Sequence, residues 1–238
     1  MNKNTLSPKQ IAKYIDHTNV KIDATQKSIK DVCDEAIKYG FHSVCVTPTR
    51  VAITKKYLGK NWGKIAVIAV IGFPFGFTTT KAKAIEAREA VSNGATEIDM
   101  VINLNAIKDG DWDYVKQDIF EVVKSSNPVS VKVIMETGFL TENELFKACQ
   151  IAEDAGAKFV KTATGYGVRG AELHDIVVMK RAIGNRLKIK ASGGIHDYET
   201  AITMLQAGAD RIGTSSGLDI IGVEDKTYKK DKKIAYNY

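Results

Sequence analysis

Three charged residues interrupt runs that are otherwise apolar and β-branched: Asp99 in EIDMVI, Lys161 in FVKTAT and Lys190 in LKIKAS. A fourth run, VSVKVIME, carries Lys132 and Glu136. A lysine between apolar strand residues loses hydration, and burial together with a second lysine nearby disfavours its charged form. Lys161 and Lys190, so paired, would supply a neutral amine at physiological pH. That is the form that attacks a carbonyl and builds a Schiff base. Asp99 would offer a carboxylate to move protons and hold a water. A plainer reading makes the same charges structural ion pairs, Asp99 with Lys161 and Glu136 with Lys132.

The segments after these lysines are built of small residues. Lys190 leads into Ala191-Ser192-Gly193-Gly194-Ile195, and Gly213 leads into Thr214-Ser215-Ser216-Gly217. Small residues let backbone N–H groups approach a ligand, and hydroxyls add donors, a combination suited to phosphate. Gly165, after Lys161, would complete the cradle. Glycine and serine are also ordinary turn formers. Metal chemistry finds little support, because the four histidines (His17, His42, His174, His196) are scattered and form no H-E-x-x-H. There is no G-x-S-x-G nucleophile motif. No metal and no organic cofactor is expected, since an amine is its own electron sink. Cys45, in SVCVTP, either lines the pocket or fills space as a small hydrophobe. His17 follows Asp16 and reads as a polar strand-end residue.

Elements must hold these residues in place. β-like runs occur near 14–17, 43–47, 65–71, 97–102, 129–136, 158–162, 187–191 and 211–213. Amphipathic stretches at 25–39, 79–93, 111–124, 141–154, 172–183 and 197–206 read as helices. T-E-N-E at 141–144 is a capping-box pattern, and glycines at 94, 156, 184 and 208 mark helix ends. SNGATEIDMVI, EDAGAKFVKTA and LQAGADRIGTS repeat one frame: helix end, Gly-Ala, polar residue, β-run. Eight such units specify a closed (β/α)8 TIM barrel or a doubly wound sheet. The G-x-G-x-x-G of a dinucleotide fold is missing after the first run, which reads IDHTNV. One (β/α)8 barrel over residues 1–224 is the economical reading. Its late-strand charges then point into the mouth, where barrel chemistry sits.

Composition narrows the function classes. The chain has 238 residues, 44% hydrophobic and 26% charged, which fits a soluble globular domain. The longest uncharged stretch, 65–80, is broken by Gly72, Pro74 and Gly76, so no membrane span is expected. The first ten residues, MNKNTLSPKQ, hold no apolar h-region of a secretory signal. Three cysteines without motif spacing fit a reducing, cytoplasmic setting. Residues 225–238 hold five lysines and two aspartates, which is +3 of the total +6. That segment reads as a solvated, flexible basic tail, and the balanced remainder does not suggest a nucleic-acid partner.

The runs GFPFGFTTTKAKAIEAREAVSNGATEIDMVIN, KVIMET, FVKTATG, KASGGI and RIGTSSG resemble the deoxyribose-phosphate aldolase family, class I aldolases on a (β/α)8 barrel. The resemblance extends from Ile15-Asp16-His17-Thr18 to Ser216. It implies reversible cleavage of 2-deoxy-D-ribose 5-phosphate to D-glyceraldehyde 3-phosphate and acetaldehyde. It implies Lys161 as the Schiff-base lysine, Lys190 as its electrostatic partner and Asp99 as proton donor and acceptor. Asp16 and Cys45 match pocket positions, and Gly165, Gly193, Gly194, Gly213, Ser215 and Ser216 match the phosphate cradle. Tyr238, the last residue, matches a tail tyrosine that aids proton transfer in some members. A homodimer is implied by resemblance alone. Departures include Tyr166, Ala163, Asn105 and Gly138-Phe139. Tyr166 and Arg169 leave open how the phosphate charge is met.

Deleting residues 225–238 tests the reading of the tail. Binding to a DNA oligonucleotide at low salt is expected to be negligible with or without it. Salt-sensitive binding that disappears on deletion would make the chain a nucleic-acid binder.

Overall fold

The β-branched runs become eight parallel strands that close into one barrel in chain order. They are β1 (Ile15–Asn19), β2 (Ser43–Val46), β3 (Ala66–Ile71), β4 (Glu97–Val101), β5 (Ser130–Ile134), β6 (Phe159–Lys161), β7 (Lys188–Ser192) and β8 (Arg211–Thr214). The computed structural model describes residues 6–223. The tail at 225–238, with Tyr238, lies outside the described residues. Closure is made by β8 pairing with β1, Ile15 opposite Ile212 and Asp16 opposite Gly213. The fold is the expected (β/α)8 TIM barrel.

Helices lie between and around the strands: α1 (Pro8–Ile11), α2 (Gln26–Tyr39), α3 (Val51–Leu58), α4 (Thr80–Ser92), α5 (Leu104–Lys108), α6 (Trp112–Ser126), α7 (Glu142–Asp154), α8 (Leu173–Ile183), α9 (Tyr198–Ala207) and α10 (Gly217–Ile220). Side-chain caps start the long ones. Thr25 accepts from Ser28 N, Thr79 from Ala82 N and Asp197 from Thr200 N. Thr141 and Glu144 form the expected capping box. The sequence pattern missed α3, because Val51, Ile53 and Thr54 are β-branched and weak helix formers. Packing overrides propensity there: Val51, Thr54 and Leu58 are buried.

The strands serve two cores. Outward side chains such as Val44, Val67, Met100, Val133, Val160 and Ile189 join the helices in one apolar cluster. Inside the barrel, Cys45, Ile68 and Val70 form a separate small cluster on β2 and β3. Val101 and Ile134 lie on the same faces of their strands as Asp99 and Lys132, and the layer around those two is charged, as described below. Among the described residues, no helix is long and apolar enough to cross a membrane.

One buried ion pair braces the helical layer. Lys83 of α4 donates to Asp118 of α6 at 2.6 Å and to the Val101 carbonyl at 3.0 Å. Thr80 donates to the other Asp118 oxygen at 2.9 Å. Burial pushes the Lys83 ammonium down, against the pull of Asp118. The lysine stem also packs on the loop after β3, where a Cβ at Gly72 would lie 2.9 Å from Lys83 Cε. Removing one partner strands the other charge. Asp118→Ala is expected to cost about 3 kcal/mol in urea unfolding, and Lys83→Met with Asp118→Leu to recover most of it. A single variant as stable as the parent would show that the pair is not structural.

Candidate active site

β4 places Asp99 at the centre of the charged half of the barrel. Its Oδ2 accepts from Lys161 Nζ and from Lys190 Nζ, each at 2.9 Å. Its Oδ1 accepts from Lys132 Nζ at 2.9 Å. Lys190 Nζ also lies 2.7 Å from Asp16 Oδ2, and Lys132 Nζ lies 2.5 Å from Glu97 Oε2. Strand register brings these residues together: Asp99 is level with Lys132, and Lys161 with Lys190. Ser43 donates to Asp16 Oδ1 at 2.7 Å, and Arg211 Nε stands 3.7 Å from the same oxygen. His42 completes the circuit, 2.5 Å from Arg211 Nη2 and 3.5 Å from Glu97 Oε1.

Burial and charge oppose each other at Asp99, Glu97, Lys190 and Lys132. Burial pushes the Asp99 carboxyl up, but Lys132, Lys161 and Lys190 hold it well below the usual carboxylate range. Burial works against the Glu97 carboxylate too, yet His42 and Lys132 bring it down to about 2. Burial disfavours the Lys190 ammonium, and Asp16 and Asp99 overcome that and raise it. Lys132 is raised in the same way by Asp99 and Glu97. These directions correct the sequence expectation for Lys190. It is not a second depressed amine but a fixed cation, because two carboxylates reach it.

Above this layer opens a cavity of about 310 Å³. Lys161 is the lysine of the cluster that borders it, with Thr18, Val20, Lys21, Cys45, Val70 and Phe73 on one side. Thr164, Gly165, Tyr166, Gly193, Gly194, Gly213 and Ser215 line the other. Gly165, Gly193 and Gly194 have φ of 88°, 89° and 73°, a conformation that side chains disfavour. Gly213 is needed for a different reason: a Cβ there would lie 2.7 Å from Lys190 Cε. Burial pushes the Cys45 thiol up, so it stays protonated at the apolar wall.

Not every expected residue reaches the cavity. Asp16 is fully buried beneath Lys190 and does not line it. Ser216 does not line it either: its N–H donates to Thr214 Oγ1 at 2.8 Å and its hydroxyl pairs with His196 Nδ1 at 3.1 Å. The Glu136–Lys132 ion pair is not formed, since Lys132 turns to β4 and Glu136 to the loop after β6. His17, read as a polar strand-end residue, is buried and held by Glu35 at 2.5 Å. Arg169 is gripped by both Asp175 oxygens, at 2.7 and 2.8 Å. Lys21 was missed, because the loop after β1 has no periodicity to give its direction. Among the described residues, no three His, Cys, Asp or Glu side chains converge to hold a metal ion.

Known proteins resemble this chain in sequence and fold. Residues 10–222 match the family model described as DeoC/LacD family aldolase. The deoxyribose-phosphate aldolase of Thermococcus gammatolerans is 54% identical over 213 residues, covering 89% of this chain and 95% of that protein. That of Staphylococcus epidermidis is 50% identical over 217 residues, covering 91% and 98%. Among solved structures, the aldolase QR15 superposes with a TM-score of 0.85 at 43% identity, covering 89% of this chain and 94% of that one. A tetrameric deoxyribose phosphate aldolase from Aeropyrum pernix gives 0.83 at 31% identity, covering 90% and 91%. Sequence identity, near-complete coverage and the shared barrel agree, and the chain belongs to the DeoC/LacD family of aldolases, carbon–carbon lyases.

Proposed function

We propose that the chain reversibly cleaves 2-deoxy-D-ribose 5-phosphate to D-glyceraldehyde 3-phosphate and acetaldehyde through a Schiff base on Lys161. The observation that carries this is a lysine bordering the cavity while its amine shares one carboxylate oxygen with Lys190. Lys161 attacks the open-chain aldehyde carbon C1, and loss of water gives the iminium. The iminium draws electrons from the bond between C2 and C3, as the C3 hydroxyl gives up its proton. The three-carbon aldehyde leaves, and a two-carbon enamine remains on Lys161. Protonation of the enamine at C2 and hydrolysis then release acetaldehyde and restore the amine. Asp99 and Lys190, with a water, relay the protons. The relay fits their geometry, since a proton leaving Lys161 has Asp99 Oδ2 within 2.9 Å.

Gly165, Gly193, Gly194 and Ser215 would receive the phosphate, holding the substrate so that C1 meets Lys161. Lys21 lines the same cavity and is proposed as a phosphate counter-charge by its place there. Asp16 would act through Lys190 rather than on substrate. The amine supplies the electron sink, so the proposal invokes no cofactor. A cytoplasmic location goes with it, in keeping with three free, buried cysteines.

Acetaldehyde followed by borohydride is expected to fix an ethyl group on Lys161, located by peptide mass mapping. Lys161→Ala should lose at least about 10⁴-fold in kcat/KM, and Lys190→Leu about 10²- to 10³-fold. Activity that survives Lys161→Ala while EDTA abolishes it would sink the mechanism. A homodimer is part of the same proposal. Phe75 and Phe77 stack with centroids 5.4 Å apart and remain 55% and 64% exposed, next to Ile85. Sedimentation should give a dimer that Phe75→Asp with Phe77→Asp dissociates, and a monomeric parent chain would remove that part.

A further inference from the structure

Glu136 is a glutamate in a glycine's conformation. Its φ is 53°, and among the described residues it is the one non-glycine with a positive φ. A side chain makes that region costly. The hydrogen bonds around it explain how it arises. Met135 N donates to the Lys161 carbonyl at 2.8 Å, and Thr137 N donates to the Thr162 carbonyl at 3.1 Å. Two residues advance beyond β5 while one advances beyond β6. That is a bulge, and Glu136 is its extra residue. Glycine would fill this position without strain. Strain held at one residue calls for a reason in what its side chain does.

The side chain turns inward and is 3% exposed. Its Oε2 accepts from Thr164 N at 3.1 Å. Its Oε1 is buried with no hydrogen-bond partner among the described residues. Gly167 closes over it: a Cβ there would lie 2.6 Å from Oε1. The carboxyl therefore fills the inside of the turn 164–167. Thr164, Gly165 and Tyr166 of that turn line the cavity beside Lys161. Two of the turn's amides are used internally, Thr164 N by Glu136 and Tyr166 N by Thr164 Oγ1 at 3.0 Å. The amide between them belongs to Gly165. Burial pushes the Glu136 carboxyl up, against Thr164, Lys161 and Arg169.

We propose that Glu136 is a positioning residue, delivered by the bulge, that sets the turn 164–167 so that the Gly165 N–H meets the substrate phosphate. Lys161 chemistry itself does not pass through it. The inference rests on the phosphate reading above and adds the group that builds that wall.

Steady-state kinetics on 2-deoxyribose 5-phosphate and on unphosphorylated 2-deoxyribose test it, with borohydride trapping of acetaldehyde alongside. Glu136→Gly removes both the carboxyl and the strain. It should raise KM for the phosphorylated sugar about 10- to 100-fold. KM for the unphosphorylated sugar and trapping at Lys161 should stay within about two-fold. Glu136→Gln keeps an acceptor of the same length and should restore most of the phosphorylated KM. Gly167→Ala, which presses on Oε1 from the other side, should reproduce the selective loss if Glu136→Gly does not fold. An unchanged phosphorylated KM in the variants, or equal losses on both sugars and in trapping, overturns the proposal. A parent enzyme that does not distinguish the two sugars removes the phosphate reading, and this inference with it.

Discussion

The structure turns on one carboxylate shared by three ammonium groups. Asp99 has no exposed surface, and each of its oxygens is committed to lysine. An isolated charge at such depth would neutralise or unfold the barrel. It persists because β1, β5, β6, β7 and β8 each supply a counter-charge or its neighbour. The cations Lys132, Lys161, Lys190 and Arg211 face the carboxylates of Asp16, Glu97 and Asp99. With all of them ionised, one positive charge is in excess. The set is therefore close to neutral, and that near-balance, rather than any single pair, lets it stay buried.

That condition makes closure of the sheet a functional requirement. Asp16 on β1 reaches Lys190 on β7 because β8 brings the two edges together. Gly213 on β8 is small for this purpose, since a side chain there would occupy the space of the Lys190 stem. The apolar half of the interior, Cys45, Ile68 and Val70, faces the charged half across the cavity. Such a wall offers no hydrogen bond and would suit a small apolar fragment. The glycine turns after β6 and β7 present the opposite, polar environment, backbone rather than side chain, to the same cavity.

Much of this was legible in the sequence. Asp99, Lys161 and Lys190 stand out because a charge inside a β-branched run must be buried, and burial demands partners. The repeated Gly-Ala frame specified the βα units and so the barrel. What failed did so for physical reasons. Lys132 and Glu136 are four residues apart, which places them on one face of a continuous strand. The strand stops at Ile134 and the bulge turns Glu136 away, so the expected pair is not made. Lys132 finds Glu97 and Asp99 instead through a register that no single strand encodes. Burial and a neighbouring lysine are all that the Lys190 run shows, and by themselves they predict a depressed amine. Its carboxylates come from residues 16 and 99, and only closure brings them near.

Ser216 and Glu136 illustrate the remaining limit from opposite sides. Ser216 looked like a ligand donor by type and place, yet its amide and hydroxyl are consumed by Thr214 and His196. Glu136 looked like half of an ion pair, yet its carboxyl is spent on the backbone of a neighbouring loop. A polar residue in a loop can satisfy the chain or the ligand, and its type does not say which. Hydrogen-bond bookkeeping over the folded loops decides it, amide by amide. By that bookkeeping Thr164 and Tyr166 have donated their amides to the turn itself, and Gly165 stands between them with the conformation that only a residue lacking a side chain adopts freely. Serine and glycine both populate these loops in the sequence, but the amides open to a ligand are those the loop has not already used.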